Sequence, residues 1–93
     1  MFGEKELIPL SVRKELHNIP VTKKSGIVID LIEYRDLDHV GVRTYQNDLA
    51  KRPIEGRLAA FEHANLIVQV LRSHGISAAL EKVEGSPPRT EGV

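Results

Sequence analysis

The chain reads as a two-layer α+β domain: a ββαβ core in which one long helix lies on one face of a three-stranded antiparallel sheet of order 2-1-3. Three stretches predict this. Residues 25–47, SGIVIDLIEYRDLDHVGVRTYQN, are rich in β-branched and aromatic residues on either side of a polar turn, as a β-hairpin requires. Residues 51–75, KRPIEGRLAAFEHANLIVQVLRSHG, repeat apolar side chains at helical spacing, and residues 76–83, ISAALEKV, alternate as a strand does. With 93 residues, 41% apolar and 28% charged, there is material for one core and not two, since domains usually run to about 100–150 residues. A core of this size buries only about 60–65% of the unfolded surface. The chain has no cysteine to form a disulfide, so association is one remedy.

Residues 1–25 form an N-terminal arm packing on the core. Pro9 and Pro20 bracket SVRKELHN, where Val12 and Leu16 stand four apart after a Ser11 cap, which predicts a short amphipathic helix with extended segments on either side. Residues 26–84 are the ββαβ core. With Leu37 and Asp38 at the hairpin tip, Leu31, Glu33 and Arg35 face Thr44, Val42 and Val40. On the other side Asp30, Ile32 and Tyr34 meet Tyr45, Arg43 and Gly41. The first strand presents Ile27, Ile29 and Leu31 to one side and Val28, Ile32 and Tyr34 to the other, the pattern of a central strand covered on both faces. A right-handed crossover sets the third strand parallel to the second, and placing it beside the first gives the order 2-1-3. Residues 85–93, GSPPRTEGV, read as a disordered tail.

The helix opens at Pro53, where the missing N–H costs nothing, and closes at Gly75. At about 100° per residue, Ala60, Phe61, Ala64, Ile67, Val68 and Leu71 share one apolar arc that faces the core. Glu55, Glu62, Asn65, Gln69 and Arg72 fall opposite and read as a solvated face rather than a catalytic one. His63 and His74 share a side, but eleven residues of helix separate them by roughly 16 Å, too far to hold one metal. Leu58, Leu66 and Val70 lie on or beside the polar side, where a two-layer domain has no use for them, and so suggest a second contact.

Two constellations carry the functional expectations. On the outer sheet face Asp30, Ile32, Tyr34, Arg43 and Tyr45 gather, with Tyr45 or Arg43 placed to partner the acid; with Leu58, Leu66 and Val70 they form the candidate partner-binding set. Around the start of the long helix, Lys51, Arg52 and Arg57 stand where free N–H groups already favour anions; Lys23 and Lys24 add to them. No Gly-rich loop precedes a Lys-Ser or Lys-Thr pair, and no serine sits in a nucleophile elbow. The absence of cysteine removes thiolate nucleophiles and the usual structural zinc sites, and with no reason for an oxidising compartment a cytoplasmic setting is expected. MFGEKELIPLSV is too broken by charge to read as a signal peptide, and the apolar run 27–32 falls far short of the ~20 residues that cross a bilayer, so no membrane association is expected.

Thirteen basic and thirteen acidic residues cancel, which disfavours bulk attraction to a polyanion. The expected function is a non-enzymatic protein-interaction or regulatory module without cofactor or metal, a homodimer that also binds another protein. Its size suits a bacterial or phage accessory factor. The alternative is a nucleic-acid-binding module using Lys23, Lys24, Arg43, Lys51, Arg52 and Arg57, with the two tyrosines as stacking surfaces.

Overall fold

The computed structural model describes residues 6–20 and 29–86. In chain order these form helix α1 (Leu10–His17), strand β1 (Asp30–Tyr34), strand β2 (His39–Tyr45), the short helix α2 (Gln46–Ala50), the long helix α3 (Ile54–Ser73) and strand β3 (Ser77–Val83). Lys23, Lys24, Ile27 and Val28 lie outside the described residues, as do residues 87–93 of the tail. At its start, the Gly85 carbonyl accepts the Asn47 N–H at 2.9 Å.

The sheet is mixed, with order β1-β2-β3, and this corrects the antiparallel order 2-1-3 expected from the sequence. β1 pairs antiparallel with β2, and β3 runs parallel to β2, as a crossover requires, but lies beside it rather than beside β1. Burial gives the reason. β1 is half-buried throughout because it carries Asp30 on one face and Glu33 on the other, whereas β2 buries Val40, Gly41, Val42, Thr44 and Tyr45. The strand least burdened with charge takes the centre. The hairpin register is also two residues off the expected one: Asp30 faces Arg43, Leu31 faces Val42 and Tyr34 faces His39. The turn uses Arg35–Leu37 as one turn of 3₁₀ helix and Asp38 in the left-handed region at φ 48°, a position aspartate tolerates better than most residues. A slip of two preserves which side chains share a face.

α3 closes in a Schellman motif. The Gly75 N–H donates to the Arg72 carbonyl and the Ile76 N–H to the Leu71 carbonyl, both at 3.0 Å, with Gly75 at φ 77°. Gly56, Ala60, Ala64, Ile67, Val68 and Leu71 are the buried residues of this helix. Phe61, expected in the core arc, is half-buried at its margin with Lys82 Nζ 5.0 Å over its ring.

α1 begins at Leu10, with the Pro9 carbonyl accepting the Val12 and Arg13 N–H groups, so Ser11 is not its cap. The arm packs on the same side of the sheet as α3. Ile8 and Val12 belong to one buried cluster with Val40, Val42, Ala64 and Leu71. Arg13 Nη2 bonds Glu33 Oε2 at 2.8 Å, on the helix-facing side of β1, and His74 Nε2 meets Glu15 Oε1 at 2.7 Å. Both α1 and α3 therefore cover one face, and among the described residues no helix covers the other. No helix is long and apolar enough to cross a membrane among the described residues.

Candidate functional site

The face that no described helix covers is built in rows across the three strands. Register places Asp30, Arg43 and Glu81 in one row, Ile32, Gly41 and Ala79 in the next, and Tyr34, His39 and Ser77 in the third. Tyr45 and Val83 follow beyond the charged row. Ile32, Tyr34, Ala79 and Val83 are half-buried, so apolar surface remains between the charges.

A polar lattice spans these rows. Tyr34 Oη donates to Glu81 Oε1 at 3.0 Å, Arg43 Nη2 donates to Tyr34 Oη at 3.0 Å, and Arg43 Nε and Nη2 both reach Glu81 Oε1 at 3.3 Å. The glutamate can lie across β2 because Gly41 has no side chain: a Cβ there would stand 2.5 Å from the Glu81 carboxylate carbon and one of its oxygens. Tyr45 Oη donates to Asp30 Oδ2 at 2.5 Å, a diagonal contact in the observed register. His39 Nδ1 and Ser77 Oγ are 2.8 Å apart, and the Tyr34 and His39 rings stack at 6.2 Å.

The electrostatics follow from these contacts. The Arg43 guanidinium is held above its ordinary pKa, first by the hydrogen bond with Tyr34, against some desolvation, and then by Tyr45 and Glu81. Burial pushes the Tyr45 phenol up, and its bond to Asp30 adds to this. Both tyrosines are thus hydrogen-bond donors to carboxylates. The bonds converge on Oε1 of Glu81, leaving its Oε2 and Oδ1 of Asp30 as acceptors without a partner among the described residues.

Asp30, Ile32, Tyr34, Arg43 and Tyr45, singled out in the sequence, stand together on this face. Glu81, Gly41, His39 and Ser77 were not singled out. The three surplus apolar residues of α3 do not form one patch. Val70 packs against the buried cluster on the flank that α1 covers, and Leu66 is half-buried. Leu58 lies on another flank, 64% exposed, four residues after the equally exposed Ile54.

The basic set is dispersed. Arg52 pairs with Asp48 at 3.7 Å, and Arg57 is half-buried with its Nε lacking a partner. Lys51 is exposed, and Tyr45 is only 4% exposed, so its ring is closed to a stacking base. His63 borders a cleft of about 240 Å³ floored by Leu16, Ile29, Leu31 and Ile67, and desolvation lowers its pKa. Among the described residues no three His, Asp or Glu side chains stand together as metal ligands do. No family model matches the chain, and no curated protein or solved structure matches it.

Proposed function

We propose that the chain is a non-enzymatic protein-interaction module of regulatory or accessory kind, which acts as a homodimer and offers the open face of its sheet to a protein partner. The observation that carries this reading is the composition of that face. Tyr34 and Arg43, residue types that dominate binding hot spots, are locked in a preformed lattice beside the half-buried Ile32, Ala79 and Val83. A locked lattice gives up little side-chain freedom on binding, and its unpartnered carboxylate oxygens supply acceptors for partner donors. The absence of cysteine supports a cytoplasmic setting.

Nucleic-acid binding is supported less well. Asp30 and Glu81 place negative charge on the face that carries the tyrosines, and Asp48 offsets Arg52 at the start of α3.

The test is affinity capture from the source cell with the wild-type chain and with Ile32→Lys, which puts a charge in the middle row while leaving the helix layer untouched. A discrete protein retained by the wild type and lost with the variant is expected. Equal retention by both would refute the assignment of the open face.

A further inference from the structure

We infer that the two copies of the homodimer join along the edge of β3 that no described strand pairs, antiparallel about a two-fold axis at Leu80, forming one six-stranded sheet. The inference rests on the homodimer reading above and names the surface that serves it.

β3 is an edge strand of the described sheet, seven residues long. Two hydrogen bonds fix which of its backbone groups face outward. Thr44 Oγ1 donates to the Glu81 carbonyl, which therefore faces β2, while Arg72 Nε donates at 2.9 Å to the Ala78 carbonyl. Carbonyls alternate along a strand, so Ala78, Leu80 and Lys82 turn their N–H and C=O groups away from β2. Arg72 occupies one of these acceptors, and a carbonyl has a second lone pair for a strand partner. The remaining edge groups are a template for one more strand.

The flank of α3 beside this edge carries exposed apolar side chains among its polar ones. Phe61 is located there by the Lys82 ammonium over its ring, and Arg72 by its bond to Ala78. Ile54 and Leu58 fall within about 60° of Phe61 on the same helix, and both are 64% exposed. A strand added to β3 brings its own covering helix alongside this flank.

The occupant is a second copy because the strand complements itself. Centred on Leu80, an antiparallel pairing sets the small Ala79 opposite Glu81 of the partner subunit and the small Ala78 opposite Lys82 of the partner subunit. Long charged residues meet short ones within the strand pair, and Arg72, bonded to the Ala78 carbonyl, must turn aside from Lys82 of the partner subunit as the strands join. Arg72 and Lys82 also guard the edge against indiscriminate strands. In the joined sheet the two open faces lie side by side, doubling the surface offered to a partner.

Sedimentation at tens of micromolar reads the assembly, with Lys82→Pro, Leu58→Glu and Ile32→Lys as variants. Lys82 turns its N–H outward, so proline there removes a bond to the partner strand and none to β2. The expected result is twice the 10.4 kDa chain mass for wild type and Ile32→Lys, and the single mass for Lys82→Pro and Leu58→Glu with circular dichroism retained. Amide exchange at Leu80 and Lys82 of the wild type should slow with protein concentration. A dimer that survives both edge variants but is split by Ile32→Lys, with those amides exchanging freely, would overturn the edge assignment and leave the homodimer standing. A wild-type monomer at every concentration would overturn both.

Discussion

Gly41→Ala tests whether the open-face lattice depends on the missing side chain. The alanine Cβ would stand 2.5 Å from the Glu81 carboxylate, whose flexible end must swing away and give up the Tyr34 bond at 3.0 Å and the Arg43 pair at 3.3 Å. The paired side chains are 29% and 28% exposed, so each lost contact is worth about 0.5–1 kcal/mol, or about 1–2 kcal/mol together. Against this, alanine stiffens the unfolded chain and returns about 0.4–1 kcal/mol. The net expectation is a loss of about 0.5–1 kcal/mol. In a Glu81→Ala background the carboxylate is already absent, only the stiffening remains, and the same substitution should stabilise by about 0.4–1 kcal/mol. Urea denaturation of the four proteins of this cycle, with unchanged m-values, reads the coupling directly. A Gly41→Ala effect of equal size and sign in both backgrounds would refute the account of Gly41.

Ile8→Ala, in the arm, should cost about 2–5 kcal/mol, as much as Leu71→Ala in α3, because both side chains are fully buried in one cluster. Urea denaturation measures it, and a loss below about 1 kcal/mol at Ile8 alone would make the arm peripheral. The Tyr45 phenol is raised in the folded state above the ordinary value of 10.0, so its contribution is full below pH 10 and is lost as pH rises through the folded value. Stability should therefore fall on the alkaline side more steeply for the wild type than for Tyr45→Phe, and parallel alkaline limbs in thermal melts would contradict this.

How much was legible in the sequence can be argued from single residues. The apolar arc of α3 was readable because five of its six buried positions, Ala60, Ala64, Ile67, Val68 and Leu71, are apolar residues recurring at helical spacing, and Gly75 marked the end because only a glycine takes the left-handed position of a Schellman close without strain. The pairing of Asp30 with Tyr45 survived a register error of two residues, since a slip by an even number keeps every side chain on its face. Strand order was misjudged from the apolar run at 27–32, although Asp30 and Glu33 place a charge on each face of β1. A charge on both faces marks an edge strand. That error moved β3 to the wrong neighbour and hid Glu81 from the site. Gly41 carried the missing signal, since a glycine among β-branched strand residues marks a close approach by another group.

The chain commits both of its larger helices to one face of its sheet, and this decides how the other face must be built. Arg13 on α1 reaches Glu33 on the covered face, and Glu15 reaches His74 at the end of α3, so α1 completes the helix layer. A bare sheet of Ile32, Tyr34, Ala79 and Val83 would invite unspecific association. Asp30, Arg43 and Glu81, set in one row, break that surface with charge, Arg43 paired with Glu81 and Asp30 bonded by Tyr45, and Gly41 lets the lattice lie flat against the strands. The face is therefore wettable without a partner while keeping apolar area between rigid polar anchors. Core stability rests on the helix side, in Ile8, Val40, Val42 and Leu71.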